Sequence, residues 1–453
     1  MKYDGLKWIT QGFTWREKLI LLFVFLLFVP KLRAQHKEMD FPATDSLTLK
    51  YYLSGQWDSL LMVGKASGLD YYWLNARMGY AWFAKGKYGR AIRQFRKALR
   101  NNASDAFSLE YYAYSALYMG FNEQTLAALG AFQPTIPDRL RSLNPYPLSA
   151  AGGGMLMSNA SIVLTGPALD ENANIYGEAS LPGDGRYFFG YGALALAKRL
   201  IITPGVSFLK TNNPFRAATA DSFLFATDNS YRESNFHLSM AWVPSLTWTL
   251  HSYFRLSGFN YDYSAVEYDI ATNTYSLSPK NKKITDYAAG LGITHYFGDI
   301  ALSADACWHT EYDSAYAQAG ILFNWYPFSD TRLIYGVGIY AGLTNRNPGL
   351  AVVQSLSLNL HKGLWLTGAL TLGESAHKSF ADAWIIYNAD HTINRITTLS
   401  VFFNLTQSLS ASLQWNNLKC SGQGLYYPSF SETSLQNFDY YKNSLSISIY
   451  WKW

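Results

Sequence analysis

Between residues 232 and 310 the side chains with the chemistry to bind, select or catalyse are His237, His251, Arg255, Asp286, Asp305, Cys307 and His309. They fall on alternate positions of segments whose other positions are largely apolar, so on an extended chain they share one face. Ionisable groups of both signs on a confined face can cross-pair and brace a wall, tune the passage of ions or solutes, or carry catalysis. Bracing and selectivity are preferred here over catalysis. His237 and Ser239 could pair a general base with a hydroxyl nucleophile. The apolar Phe236, Leu238 and Met240 on the other parity put both on the polar face, and no Asn is marked to orient the imidazole. Asp305, His309 and Glu311 are possible ligands whose spacing defines no coordination geometry, so neither a metal nor a cofactor is assigned. No glycine-rich loop opens a helix, which removes a phosphate cradle. Basic clusters interleaved with aromatics are absent, which removes nucleic acid as a partner. The chain reads as a non-enzyme.

The elements that must position this face are strands. In residues 440–453 (YYKNSLSISIYWKW), Leu445, Ile447, Ile449, Trp451 and Trp453 take one parity and Ser444, Ser446, Ser448, Tyr450 and Lys452 the other. Leu409, Ala411, Leu413 and Trp415 alternate with Ser410, Ser412, Gln414 and Asn416 in the same way. Repeated back to about residue 185, this alternation suits a closed barrel with lipid outside and water inside, the polar parity being the lumen. Short gaps near 198–199, 244–245, 298–299, 327–330, 361–363 and 406–408 alternate with mostly longer ones, the longest near 210–231, 262–282, 375–392 and 419–439. Outer-membrane barrels have this asymmetry of tight periplasmic turns and long outer loops. Thirteen strands follow residue 185, and both ends on one side require an even number. One more comes from 155–164 or 174–181, giving about 14 strands, with 12 or 16 as alternatives. Inward Tyr253, Tyr340, Trp365 and Phe402 narrow the lumen, while Gly290, Gly292, Gly336 and Gly338 open it; 145–182 is long enough to fold inward as a plug.

The 453 residues are 17% aromatic and 15% charged, a balance that aromatic belts at two membrane interfaces would explain. Of the formal +5, residues 1–34 hold +4, so the remainder is near neutral. Those residues read as an export signal, because basic residues precede the run LILLFVFLLFV, too short to span a bilayer comfortably. Cys307 and Cys420 make no disulfide framework, and the sequence leaves their pairing open. Helical periods fill residues 45–133, so the expected domains are 1–34 signal, 35–140 helical repeats in the periplasm, 141–154 linker and 155–453 barrel. The candidate partner groove of the repeats holds Asn75, Tyr80, Tyr111 and Tyr114. Arg93 and Arg96, on a helix that also carries Arg90, Lys97 and Arg100, form a basic patch beside it.

Three resemblances attach to these residues. Met78, Gly79, Trp82, Gly86, Tyr88, Ala91, Phe95 and Ala98 resemble a tetratricopeptide repeat, with weaker copies at Gly55, Trp57 and Leu60 and at Ala113, Gly120, Asn122 and Leu129. The C-terminal alternation ending on Trp453 resembles the insertion signal of bacterial outer-membrane barrels. His237-Leu238-Ser239 superficially resembles the His-x-Ser pair of outer-membrane phospholipases. Together the modules resemble outer-membrane proteins that join such repeats to a barrel, exopolysaccharide-secretion porins among them. That layout implies transport or secretion, a periplasmic protein or peptide recruited by the repeats, and dependence on outer-membrane lipid and the barrel-insertion machinery. A plugged structural barrel with the repeats as scaffold is the alternative.

Overall fold

The computed structural model describes residues 40–452, apart from 133–134, 147, 164–175, 181–182, 219–223, 273, 312–313, 345–348, 362, 377, 381–384, 387–390 and 430–431. The expected signal and Trp453 lie outside the described residues.

Six helices stack as three antiparallel hairpins: α1 (Phe41–Leu53), α2 (Trp57–Ala66), α3 (Tyr72–Ala84), α4 (Tyr88–Asn101), α5 (Ala106–Tyr118) and α6 (Asn122–Gly130), followed by the short α7 (Asp138–Arg141). Asp40 and Asp105 start α1 and α5 by accepting from Ala43 N at 2.9 Å and Ser108 N at 2.7 Å. Gly55, Gly86 and Gly120 occupy the bend inside each hairpin at φ between 66° and 72°, which only glycine adopts without cost. The core between hairpins holds Leu60, Leu74, Ala91 and Phe95, all at 0% exposure. Gly79 lies flat against the Phe95 ring, so α3 and α4 approach closely.

The rest is sheet. In chain order the strands are β1 (Ser149–Val163), β2 (Tyr176–Ser180), β3 (Gly185–Ala197), β4 (Leu200–Ala218), β5 (Leu224–Trp242), β6 (Trp248–Asp269), β7 (Thr274–Tyr296), β8 (Ile300–Glu311), β9 (Ser314–Trp325), β10 (Leu333–Gly342), β11 (Leu350–His361), β12 (Leu364–Gly373), β13 (Ser379–Phe380), β14 (Ile385–Ile386), β15 (Thr392–Asn404), β16 (Leu409–Ser429) and β17 (Glu432–Lys452). Fourteen antiparallel strands close into a barrel, β1 pairing with both β17 and β3. Of the two candidates for the extra strand, the first is the wall strand β1. The second is the short β2, which pairs with the outer parts of β16 and β4.

β1 begins at Ser149, so Gly152, Gly153 and Gly154, expected in a linker reaching residue 154, belong to the wall. A Cβ on Gly153 would collide with the backbone of β17. Apolar side chains project outward, with Ile321 and Ile447 each 57% exposed and Ile449 and Trp451 near half, while Ser444, Ser448 and Asn416 are buried on the inner face. An apolar exterior on a closed sheet is the form that spans a bilayer.

Candidate functional site

The lumen wall from β5 to β9 gathers the ionisable residues into four successive cross-strand rows. Asn235, Ser257 and Asp286 form the first, and His237, Arg255, Ala288 and His309 the second. Ser239, Tyr253, Gly290, Cys307 and Gln318 make the third; His251, Gly292, Asp305 and Gly320 the fourth. Arg255 and Glu233 form a buried ion pair, each side chain 6% exposed. The guanidinium also donates to Asn235 Oδ1 at 2.9 Å and to Ser257 Oγ at 3.0 Å, Tyr231 donates to Glu233 at 2.9 Å, and Asn235 donates to Ser207 at 3.0 Å. A buried charge needs this degree of compensation. Glu233 and Tyr231 were not singled out in the sequence, though they share the parity of His237. His237, Asp286 and His309 are buried, whereas His251 and Asp305 are half-buried farther along the wall. Among the described residues no cluster of three or more His, Cys, Asp or Glu could hold a metal ion. Cys307 and Cys420 are buried and unpaired.

One mouth of this lumen is occupied by the helices. Gly89 N donates to Ser329 O at 3.0 Å, and Gly89 packs so closely on the Gly298–Asp299 turn that a Cβ would strike it. Arg93 pairs with Asp299 at 2.7 Å, Arg96 donates to Tyr296 O at 3.2 Å, and Lys87 reaches Phe328 O at 3.0 Å and Asp330 at 3.6 Å. Burial, the largest influence on Arg96, lowers its pKa from the ordinary value. Phe121 packs tilted against Tyr296 and edge-on to Tyr326, and Gln124 donates to the inward Thr249 at 2.9 Å. These contacts fall on the turns joining β7–β8 and β9–β10, on the end of β7 and on the start of β6, while Gly130 lies against Lys198 between β3 and β4.

From the other end, the segment after β12 folds inward. Ser375 and Lys378 are fully buried, and Ser379 exchanges two hydrogen bonds with the Gln318 side chain, at 2.6 and 2.8 Å. Phe380 meets the Tyr340 ring at 5.0 Å. Gln318 lies four residues from the start of β9, about 13 Å down the strand. Of 145–182, which the sequence allowed to fold inward as a plug, 149–163 and 176–180 are strands and 164–175 lies outside the described residues; an inward fold is found in the β12–β15 connection.

On the helical domain, Tyr80, Tyr111 and Tyr114 are half-buried members of one aromatic network, with Tyr80 and Tyr111 ring centroids 4.9 Å apart and Phe83 bridging toward Tyr118. Asn75 is buried with its amide on Asp70 at 2.6 Å, so it lines no open groove. The basic helix is engaged within the molecule. Besides Arg93 and Arg96, Arg90 lies over the Trp82 ring at 4.7 Å and Lys97 is 3.8 Å from Asp70. Leu445, Ile447, Ile449 and Trp451 form the apolar outer face of β17.

No protein-family model matches the chain, and no curated protein matches it in sequence. Among solved structures it is similar to a FadL homologue of Pseudomonas aeruginosa, at 9% identity over 75% of this chain and 94% of that one with a TM-score of 0.46. It is likewise similar to the toluene transporter TodX of Pseudomonas putida, at 9% identity over 75% and 94% with a TM-score of 0.45. CdiB from Acinetobacter baumannii is more distant, at 10% identity over 67% and 60% with a TM-score of 0.32. Likeness at this level carries no inference about kinship or about what this barrel does.

Proposed function

We propose that the chain is a bacterial outer-membrane barrel that passes a small solute, with the helical domain acting in the periplasm as a stopper that a partner displaces. The observation that supports this most strongly is the way the two ends are closed. Both obstructions are separate segments held to the wall by polar contacts together with aromatic and apolar packing, and neither belongs to the sheet that closes the barrel. A purely structural barrel needs neither a fitted helical cap nor an inserted loop. The charged rows of β5–β9 would then set selectivity, as rings of ionisable side chains do in pores.

Partner recruitment belongs to the aromatic face of α3 and α5, with Tyr80, Tyr111 and Tyr114 accessible at its edge. Arg93 and Arg96 would be released when the stopper lifts, giving the partner's acidic groups something to hold. Conductance of the purified full chain in planar bilayers tests this reading. Silence of the native chain, with channels opened by Gly89→Val together with Arg93→Glu and widened by excising 374–391, is the expected result. Continued silence of the barrel after both changes would support the plugged structural alternative.

A further inference from the structure

We propose that the outer surface of β3 to β7 carries a built binding site for phosphate-bearing lipid headgroups of net negative charge in the leaflet remote from the helices; this rests on the barrel spanning a membrane. Arg186, Lys210, Arg232, Asn260 and Lys283 are consecutive partners across five strands. All five project from the outer face, since their strand neighbours Tyr187, Leu209, Glu233, Phe259 and Ile284 turn inward. The four cations are exposed, and among the described residues none of them forms an ion pair. Like charges directly opposite one another destabilise a sheet. Three of them on adjacent strands, at a spacing of about 5 Å, therefore call for an anion from outside the chain. Acid is close only one row farther out, where the Asp262 carboxylate accepts from Asn281 at 2.5 Å.

The height of the row identifies that anion. Directly toward the membrane lie Phe188 and Phe208, 57% and 53% exposed, then Val206, Phe236, Leu256 and Tyr287. On β5 the row at Arg232 and the exposed Trp242 near the helical end are ten residues apart, about 33 Å along the strand. At the ~40° tilt usual for such barrels this is about 25 Å of thickness, the height of their apolar band. Trp242 and Trp248 thus mark one interface and the cations the other. The outermost apolar side chains would meet acyl chains while the guanidinium and ammonium groups meet phosphate, as charge-assisted hydrogen bonding favours.

The test uses the full chain in nanodiscs of phosphatidylcholine alone or mixed with phosphatidylglycerol, reading retained lipid by native mass spectrometry and the unfolding temperature of each sample. The native chain should retain phosphatidylglycerol and unfold at a higher temperature in its presence. A cation at a charged lipid surface is worth about fivefold in affinity, so Arg186→Gln, Lys210→Gln and Arg232→Gln combined should lower the preference on the order of a hundredfold. Lys280→Gln, on the outer hairpin and paired with Glu267, should leave it unchanged. A triple variant that inserts normally yet keeps the native preference overturns the proposal. So does equal stabilisation of detergent-solubilised protein by inorganic phosphate alone, which would mean a free-anion site. Failure of the native chain to insert into either lipid would overturn the membrane reading, and the headgroup site with it.

Discussion

Large apolar side chains meet opposite fates in the two halves of this chain. In α2 to α4, Leu60, Leu74 and Phe95 are wholly buried; on the barrel, Phe208, Ile321 and Ile447 are more than half exposed. Charge runs the other way. Arg90 and Arg100 stand exposed on the helical domain, whereas Arg255 and Glu233 are sealed inside the lumen. The difference teaches which solvent each half is built for. Helices pack by removing apolar surface from water, whereas a barrel in lipid gains little by burying the same groups and relies on its closed ladder and inner polar contacts.

The sharpest test of that contrast is a pair of truncations. Phe95→Ala should cost the helical domain about 3–5 kcal/mol, the usual loss for a buried phenylalanine. Ile447→Ala should cost the barrel under about 1 kcal/mol, because neither state of that side chain in detergent leaves a core cavity. Denaturant titration with separate helix and sheet signals would measure both, and a larger loss from Ile447→Ala than from Phe95→Ala would break the comparison.

Removing half of a buried pair comes next. Arg255→Met strands Glu233 in the lumen wall and should cost about 3 kcal/mol, while Arg255→Met with Glu233→Gln should recover much of that. The readout is the temperature at which the folded barrel band is lost on a gel. Equal losses in the single and double variants would mean that Arg255 contributes packing and not charge pairing.

Smaller still is the effect of a wedge at the docking seam. Gly89→Val should leave both halves folded but separate them, since a side chain there must push the Gly298–Asp299 turn away. Protease access to the turn near Asp299, with unchanged helix content, would show it.

What the sequence made legible follows from range. Strand parity is local, so the lumen face of His237, Arg255 and His309 could be read from a period of two. The partner of Arg255 could not. Its direct neighbour in register is His237, yet its guanidinium leans two rows outward to Glu233, a choice made by side-chain reach and a hydrogen-bonded setting. The basic helix was misleading for the same reason. Arg93 on α4 and Lys87 just before it look solvated because Asp299 and Asp330 are more than 200 residues away in sequence. The inward loop was least legible, since Ser379 and Gln318 carry no pattern until the barrel brings them together.

The smallest expected effect is the acid sensitivity of that same seam, and its sign is fixed by Asp330. Burial alone would raise its carboxyl, but the hydrogen bonds and charge of Arg332 and the charge of Lys87 outweigh burial and hold it below the ordinary carboxylate range. A carboxyl depressed in the folded state contributes stability above its unfolded value, near ~4, and loses it as the pH falls through the folded value. Docking should therefore be constant from neutral pH down to about 5 and weaken only in stronger acid. Lys87 at 3.6 Å is a partly exposed partner, so its share is about 1 kcal/mol at most. Fluorophores on α4 and on the β9–β10 turn would report the separation. Asp330→Asn should flatten the acid limb of that titration, while Asp58→Asn, on the exposed Lys85 pair away from the barrel, should leave it intact. An acid limb unchanged in Asp330→Asn would move the titrating group elsewhere and break the assignment of the seam as the acid-sensitive joint between the two halves.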